Sequence, residues 1–405
     1  MDYAEALGWL YSVQQFGIKP GLENTRKLLK ALQLPGTGQR FFHVAGTNGK
    51  GSTCAFMESV LRAGGERSAL FTSPHLVQFR ERIQVGGVMM PEAEIARSLS
   101  ALRDLVQSWQ PHPTFFELTL ALALDWFDRA GAEMVVLETG MGGRLDATNA
   151  LSPAVSVIAP IALDHQQWLG NSLEQIAAEK AGIIKPGIPA VSAPQAPEVA
   201  AVLQRAAAAV GTRLRFVEEP YGAGPLPLAG SYQQWNAALA LAGLEEAGCL
   251  PLEPAVRAGL AATHWPARFQ SLLGGSLMLD GAHNPHSIAG LVRTWQERFG
   301  AERAHLIFGA VEGKDHGVSL ALLAPIVARA TFVEVDSPRA IGGAVLCQAW
   351  REAVPEIPGA VAESLAAALR EEPVGGRRRL LCGSLYLCGE LLGLLGGEAF
   401  EASAQ

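Results

Sequence analysis

The segment FFHVAGTNGKGSTCAFMESVLRAGG, residues 41–65, decides the fold of the first half of the chain. An apolar run ends in a loop with three glycines and a lysine, and a segment with helical spacing of apolar residues follows. The glycines, Gly46, Gly49 and Gly51, let backbone N–H groups surround an anion. Lys50 adds a positive charge beside a helix N-terminus. The segment therefore predicts a strand, a phosphate-binding loop and a helix.

The loop departs from the usual phosphate-loop pattern GxxxxGK[ST] at two places. Val44 stands where the first glycine is expected, and Gly51 follows the lysine where a hydroxyl is expected. Ser52 and Thr53 come one and two residues later. The alternative is an ordinary glycine-rich turn between a strand and a helix, but strand, loop, lysine and helix together favour phosphate binding.

Apolar runs alternate with helical stretches along most of the chain, which indicates mostly parallel sheets covered on both faces. The predicted strands are FFHVAG, SALFTS, EMVVLETG, AVSVIAPIALDH and IPAVSA, and then SLMLDGAHN, AHLIFGAVEG, ATFVEVD and RRLLCGS. A loop-rich zone and a helical stretch separate the two series. We therefore expect an α/β fold, with a P-loop nucleotide-binding domain over residues 1–267 and a smaller Rossmann-like C-terminal α/β domain over residues 268–405.

The composition argues against several partners and locations. A net charge of -7 gives no general basic surface for nucleic acid. The five cysteines are scattered and never spaced as CxxC, which fits a reducing compartment better than a disulfide framework or a zinc site. The N-terminal segment lacks the regions of a signal peptide, and the apolar segment from Leu380 contains Glu390 and several glycines, so we interpret it as a strand and a helix. We expect a cytoplasmic protein without a membrane or nucleic-acid partner.

Polar residues follow the predicted strands of the first domain. Glu138 ends EMVVLETG, His165 ends SVIAPIALDH, and Ser73 follows SALFT. Open α/β sheets bind ligands at the carboxyl ends of their strands, so these residues are candidates for a magnesium site beside the phosphate loop. The alternatives are a solvated carboxylate, a structural histidine and a turn serine. Lys180, on a later helical stretch, either loses its proton and reacts or is a surface lysine.

Further polar loops are predicted in both domains. In TGMGGRLDATN, Arg144 either holds a carboxylate or phosphate by a bidentate contact or pairs with Asp146. In the second domain, polar loops follow three strands and carry His283, Lys314 and Ser384. Loops at one sheet edge converge, so they predict half of a cleft whose other half is the nucleotide domain. Packing and helix capping are the alternative roles.

With these segments together, the chain resembles the folylpolyglutamate synthases and the bifunctional dihydrofolate synthase/folylpolyglutamate synthases of the Mur ligase superfamily. The matching segments run in the family's order from residue 43 to residue 387: HVAGTNGKGS, TSPHL, FFE, LETGMGGRLDATN, IALDHQQWLG, EKAGIIKPG, PARFQ, LDGAHNPH, GKD and GSLYL. The resemblance implies an ATP-dependent ligase that adds L-glutamate to the γ-carboxyl of reduced folates through an acyl phosphate. It leaves open whether dihydropteroate is also accepted. Asn24 stands where the family often has an arginine, which leaves the pterin contacts open.

The resemblance also implies residue roles. ATP is expected at Gly49, Lys50, Gly51, Ser52, Asn236, Arg268 and Asp280. Two magnesium ions are expected, one on Ser73 and Glu138 and one on Glu138, His165 and a carbamylated Lys180. The folate is expected near Phe116, Glu117, Arg144, Leu145 and Asp146, and the incoming glutamate near His283 and Ser384. The residues expected to take part in catalysis are Lys50, His165, Lys180 and His283.

Three alternatives share part of this pattern. A cell-wall Mur-type ligase would use the same chemistry on another carboxylate, although FFE and GGRLDATN favour the folate branch. A P-loop kinase or ATPase would explain the first domain but not the polar loops of the second. A nucleotide-dependent switch would need neither Lys180 nor His283. We expect a monomer.

Overall fold

The computed structural model describes residues 1–16, 21–397 and 400–401 of the chain. In these residues the chain forms two α/β units, each built around its own sheet. The strands of the first sheet are β1 Arg40–Ala45, β2 Ser68–Phe71, β3 Ile83–Val85, β4 Val88–Met89, β5 Met134–Glu138, β6 Val155–Ile158, β7 Ala190–Ser192 and β8 Leu214–Phe216. Their order across the sheet is β4–β3–β2–β5–β1–β6–β7–β8.

The first sheet is parallel except at one edge, where β3 pairs antiparallel with both β2 and β4. The helices of this region are α1 Tyr3–Ser12, α2 Glu23–Leu32, α3 Lys50–Ala63, α4 Glu92–Val106, α5 Phe115–Arg129, α6 Gln166–Leu169, α7 Leu173–Ala181, α8 Pro197–Ala209, α9 Ser231–Glu246 and α10 Glu253–Ala262.

Successive residues of a strand point to opposite faces of the sheet, and both faces here are covered. Phe41 of β1 packs in a core with residues of α1, α2, α4 and α5, and Phe42 packs with residues of α3, α9 and α10. Both side chains are buried. This explains why the strand is buried at every position from Phe41 to Ala45.

The second sheet contains the strands β9 Gln270–Leu272, β10 Leu277–Leu279, β11 Ala304–Phe308, β12 Val327–Phe332, β13 Gly359–Val361 and β14 Arg379–Cys382. The order is β13–β12–β11–β14–β10–β9, and β9 alone pairs antiparallel among these described strands. The accompanying helices are α11 Pro285–Phe299, α12 His316–Leu323, α13 Gly343–Ala353, α14 Leu365–Arg370 and α15 Leu385–Gly396.

The expected α/β fold with two mostly parallel sheets is confirmed, with differences in detail. The predicted strand AVSVIAPIALDH is a strand only over Val155–Ile158, and ATFVEVD is displaced from the observed Val327–Phe332. The segment from Leu380 forms β14 and α15, as predicted. No helix in the described part of the chain is long and apolar enough to cross a membrane. The division after residue 267 remains a prediction; α10 ends at Ala262 and β9 begins at Gln270.

Candidate functional site

The loop between β1 and α3 has the strand and the helix that a phosphate-binding loop requires. Gly49 adopts a φ of 87°, and a Cβ at this position would lie 2.4 Å from Oδ1 of Asn236. The chain therefore needs glycine here. Lys50 begins α3, and its Nζ donates to the carbonyl oxygen of Thr47 at 3.3 Å. The four free N–H groups at a helix start and this ammonium make the loop suited to an anion.

Glu138 and Ser73 face the phosphate loop from neighbouring strands. Glu138 ends β5, and its Oε2 accepts a hydrogen bond from the backbone N–H of Ser73 at 3.2 Å. Its Oε1 lies 3.9 Å from Nζ of Lys50. Burial raises the pKa of Glu138, and the Lys50 ammonium opposes the rise. A buried carboxylate beside a cationic loop is a natural partner for a hard cation that also binds phosphate.

The Ser73 hydroxyl also fits a cation site beside the phosphate loop. Its Oγ is buried and has no hydrogen-bond partner in the structure. Buried polar atoms are nearly always paired, so an orphaned hydroxyl beside a carboxylate fits a metal ligand. Among the described residues, no group of three or more His, Cys, Asp or Glu side chains is placed to hold a metal ion. The ligand set expected here differs, since it includes a serine and a modified lysine.

His165 and Lys180 come from the loop after β6 and from α7. His165 has a φ of 50° and precedes α6, and its imidazole is partly exposed. Lys180 is buried, and its Nζ donates to the carbonyl oxygen of Gly46 in the phosphate loop at 2.7 Å. Burial, with the nearby Lys50, lowers the pKa of Lys180 to about 7. A large fraction of this amine is therefore neutral at physiological pH, and a neutral amine is a nucleophile.

The loop TGMGGRLDATN is organised by Asp146. Its carboxylate accepts hydrogen bonds from the backbone N–H groups of Gly140 at 2.9 Å, Met141 at 3.0 Å and Thr148 at 3.0 Å. Asp146 is buried, and these hydrogen bonds fix the loop. Leu145, at the turn of the loop, is 37% exposed.

Phe116 and Glu117 lie at the start of α5, and the two side chains differ. The Glu117 carboxylate accepts from the backbone N–H of Thr114 at 2.8 Å and from the hydroxyl of Thr25 at 3.1 Å. Together with Thr114 it forms the capping box of the helix. Phe116 packs against Gly140, where an added Cβ would lie 2.7 Å from its ring. The capping box thus holds the helix end that carries Phe116, and a direct contact of Glu117 with folate stays a prediction.

The junction between the two sheets carries Arg268, Asp280 and Asn236. Arg268 stands between Ala267 and Phe269, both of which have positive φ. The Asp280 carboxylate accepts from the backbone N–H groups of Phe269 and Ala282, both at 2.8 Å. On the other side, Asn236 donates to Oε1 of Gln233 at 2.9 Å, and Gln233 donates to the Ser52 hydroxyl at 3.4 Å. This chain of contacts joins α9 to the phosphate loop.

The loops of the second sheet face the first sheet, as predicted. Ser384 is buried and caps α15 by accepting from the N–H of Tyr386. Nδ1 of His283 lies 2.7 Å from the carbonyl oxygen of Gly281, and burial, with the nearby Lys314, lowers the pKa of His283 to about 4. The imidazole is therefore neutral at pH 7.

Asp164 is a site residue that the sequence analysis missed. It directly precedes His165, is buried, and bonds to Lys314 and Asn284 of the second domain. Burial opposes ionisation, but Lys314, with His283 and His165, holds the pKa of Asp164 well below its usual range. Only the position of an acidic residue in a strand-end loop could have indicated it.

All predicted site residues except Arg144 line one cavity of about 1120 Å³ between the two sheets. The predicted site residues that line it are Gly49, Lys50, Gly51, Ser52, Ser73, Phe116, Glu117, Glu138, Leu145, Asp146, His165, Lys180, Asn236, Arg268, Asp280, His283 and Ser384. Arg144 does not line it; its guanidinium donates to Oε1 of Glu179 at 2.8 Å and 3.2 Å. A role for Arg144 in folate binding therefore stays a prediction.

Comparison with known proteins agrees with this arrangement. Residues 44–209 match the Mur ligase middle domain, and residues 267–385 match the Mur ligase glutamate ligase domain. These two domains define an ATP-dependent ligase of the Mur type, which confirms the expected class of enzyme.

Relatives with high coverage place the chain within that class. It is 36% identical to a dihydrofolate synthase/folylpolyglutamate synthase of Bacillus subtilis over 84% of this chain and 86% of that protein. The structure of the Mycobacterium tuberculosis folylpolyglutamate synthase complexed with ADP matches with a TM-score of 0.89, at 30% identity and 99% coverage of both chains. A bifunctional folylpolyglutamate synthase/dihydrofolate synthase of Yersinia pestis, complexed with AMPPNP and a Mn ion, matches with a TM-score of 0.86, at 30% identity and 98% coverage of both. The chain belongs to the folylpolyglutamate synthase/dihydrofolate synthase family.

Proposed function

We propose that this chain joins L-glutamate to the γ-carboxyl of reduced folates, and to dihydropteroate, with conversion of ATP to ADP and phosphate. The observation that carries the proposal is the single cavity in which the phosphate loop, the Glu138 carboxylate and the loops of the second sheet meet. Membership of the family supports the folate substrate. Another Mur-type amino-acid ligase, acting on a different carboxylate, is the second candidate.

The phosphate loop would hold ATP through the N–H groups that follow Gly49 and through Lys50. The Lys50 ammonium would stabilise the negative charge on the γ-phosphoryl group while it moves to the folate carboxylate. Asn236, Arg268 and Asp280 line the same cavity across the junction and would hold the rest of the nucleotide.

We assign two divalent cations, taken as Mg²⁺, to the residues beside this loop. Ser73 and Glu138 would hold one, and Glu138, His165 and Lys180 would hold the other. The orphaned Ser73 hydroxyl and the buried Glu138 carboxylate fit this role. Bound there, the cations would neutralise phosphate charge during transfer.

Lys180 would act as a carbamate. Its buried amine, with a pKa of about 7, is largely neutral, so it can add CO₂ and become an anionic oxygen ligand. Its position beside the carbonyl oxygen of Gly46 puts that group at the phosphate loop. Mass spectrometry of the intact protein in bicarbonate buffer, with Lys180→Ala as the control, tests for the added CO₂.

The folate would enter beside Phe116 and Leu145, whose apolar side chains line the cavity. Asp146 fixes the loop that carries Leu145, and Glu117 fixes the helix end that carries Phe116. These two carboxylates therefore shape the site even where they do not touch the substrate.

The reaction would have two steps. A carboxylate oxygen of the folate attacks the γ-phosphorus of ATP, the bond to ADP breaks, and an acyl phosphate forms. The amine of L-glutamate then attacks the acyl carbon, phosphate leaves with its bonding electron pair, and the amine loses a proton. Because the cavity lies between the sheets, closure of the second domain over it would keep water from the acyl phosphate. His283 and Ser384 line the cavity from the second domain and would bind the glutamate.

Both sheets of one chain form the cavity, which supports a monomer as the active unit. All five cysteines are free in the structure, which supports a cytoplasmic location.

The test is ADP release by the purified protein with ATP, Mg²⁺ and L-glutamate, with dihydropteroate and tetrahydrofolate offered in separate reactions. Products are identified by mass. Turnover with both substrates supports the bifunctional enzyme, and turnover with tetrahydrofolate alone restricts the proposal to polyglutamate synthesis. Folded, nucleotide-binding protein without pteridine-stimulated turnover would refute the folate assignment and favour the second candidate.

A further inference from the structure

Asp164 lies where the first domain meets the second-domain loops that carry His283 and Lys314. Its Oδ1 accepts from the Lys314 ammonium and from the backbone N–H of His165, the latter at 2.8 Å. Its Oδ2 accepts from Nδ2 of Asn284 at 3.0 Å and lies 3.8 Å from Nε2 of His283. The carboxylate is thus buried, in contact with an ammonium group and turned toward the second domain.

The carboxylate still has capacity to accept a hydrogen bond. A carboxylate has about four acceptor positions, and Asp164 uses three: two on Oδ1 and one on Oδ2. The remaining position on Oδ2 is on the atom nearest His283. The side chain is among those that line the cavity.

The tautomer of His283 makes its second ring nitrogen, Nε2, a hydrogen-bond acceptor as well. The carbonyl oxygen of Gly281 can only accept, so Nδ1 of His283, at 2.7 Å, carries the proton. In the neutral ring Nε2 then presents a lone pair. Two acceptors, Nε2 of His283 and Oδ2 of Asp164, therefore face each other across 3.8 Å. A donor with two N–H groups, about 2.9 Å from each acceptor, would bridge them.

We propose that Asp164 binds the α-ammonium group of the incoming L-glutamate, with Oδ2 of Asp164 and Nε2 of His283 accepting two of its N–H groups. The inference rests on the proposed function and adds a residue to it. The Lys314 ammonium on Oδ1 shows that this carboxylate already binds an ammonium group of the chain. The arrangement holds the amine between His165, which is expected at the metal, and the second-domain loops. The amine nitrogen of L-glutamate would thus approach the acyl phosphate of the folate from the side of the second domain.

The competing role is mechanical, because the same residues also join the domains. Asn284 bonds to Asn48 of the phosphate loop at 3.1 Å as well as to Asp164. If Asp164 only holds the domains together, its loss should weaken ATP, folate and glutamate binding alike. If it binds the ammonium, its loss should affect ligands that carry an ammonium group and spare those that do not.

Asp164→Asn keeps the size of the side chain and removes its charge. The test measures the KM for L-glutamate, the KM for ATP, and the inhibition constant of glutarate, which has both carboxylates of glutamate and no ammonium. We expect the KM for L-glutamate to rise by about 10- to 100-fold, the range for loss of a charged hydrogen bond. The inhibition constant of glutarate and the KM for ATP should change by less than about 3-fold.

Asp315→Asn is the matched control. Asp315 follows Lys314, caps α12 through the N–H of Val318, and does not line the cavity. The same chemical change there should leave the ratio of glutamate to glutarate affinity unaltered. Asp164→Ala is the second variant, so that the result does not depend on the folding of one protein. ADP binding and thermal unfolding establish that each variant is folded.

Two results would overturn the inference. One is an unchanged KM for L-glutamate in a folded Asp164 variant. The other is a parallel weakening of glutamate, glutarate and ATP, which would assign Asp164 to the domain contact. Absence of folate-stimulated turnover in the wild-type protein would instead contradict the proposed function, so the two failures are distinguishable.

Discussion

Replacement of Gly49 by alanine is expected to separate backbone strain from damage to the phosphate loop. Gly49 has a φ of +87°, and an added Cβ would lie 2.4 Å from Oδ1 of Asn236. Gly65 offers a matched control, because its φ is +88° and nothing lies within 4 Å of an added Cβ. The two glycines therefore share the backbone conformation and differ in the contact.

The shared cost can be estimated from the backbone alone. A residue with a side chain in this left-handed region loses about 1–2 kcal/mol of stability relative to glycine. Gly65→Ala should lose this amount and nothing more. Gly49→Ala should lose it too, and Asn236 must also move away, which disturbs its contact with Gln233 and thereby Ser52. We expect the Kd for ATP to rise by at least about 10-fold, or about 1.4 kcal/mol, in Gly49→Ala only.

Urea unfolding measures the first quantity and isothermal titration with ATP and ADP the second. The comparison is made between the variants, so a general loss of folded protein does not imitate the expected result. Equal nucleotide affinity in Gly49→Ala and Gly65→Ala would refute the reasoning. It would show that Asn236 yields without cost or that nucleotide does not bind at this loop.

Three further predictions concern buried groups. Lys180→Ala should lower kcat by at least about 100-fold with little change in ATP affinity. The control Lys185→Ala, nearby in sequence, should leave kcat unchanged. Equal kcat values of the two variants in steady-state assays would contradict the carbamate role. Ser73→Ala should raise the Mg²⁺ concentration for half-maximal activity by about 10-fold, and an unchanged Mg²⁺ titration would remove Ser73 from the metal site. Burial, with Lys185 nearby, lowers the pKa of His43 to about 3, so the unfolded state binds more protons as the pH falls from 6.5 towards 3. The wild-type free energy of unfolding should therefore lose about 2 kcal/mol more than that of His43→Gln between pH 7 and pH 5, and parallel urea-unfolding profiles would contradict this.

Most of the fold followed from the sequence where strands are buried on both faces. β1 and β5 are central and mostly apolar, so each can be recognised without its neighbours. The strands that escaped prediction lie at the sheet edges or next to them: β3, β4, β8, β9 and β13. Each has two or three residues and at least one exposed or half-exposed position, and each depends on pairing with a neighbouring strand. Such pairing is a tertiary contact, which a local pattern does not reveal.

A site residue was predictable where its position at a strand end indicated its role. It was harder to predict where its role depends on a partner far away in the sequence. Glu138 ends an apolar strand, so its position alone points to the cavity. Asp164 acts through Lys314 and Asn284, which are 150 and 120 residues away in the chain. Arg144 shows the reverse case. Its guanidinium has a partner in Glu179 of α7, which the isolated segment GGRLDATN did not contain.

The junction shows why the second domain matters to a nucleotide site that begins in the first. Ala267 and Phe269 have φ values of 55° and 47°, a region that costs residues with side chains about 1–3 kcal/mol each. The hydrogen bonds from the N–H of Phe269 to Asp280 and from the N–H of Gly281 to the carbonyl oxygen of Ala267 hold this conformation. Because both partners belong to the loop after β10, the direction of the Arg268 side chain depends on the folded second domain. The same domain that presents His283 therefore also places Arg268 at the cavity, so its docking would set nucleotide and amino-acid contacts together.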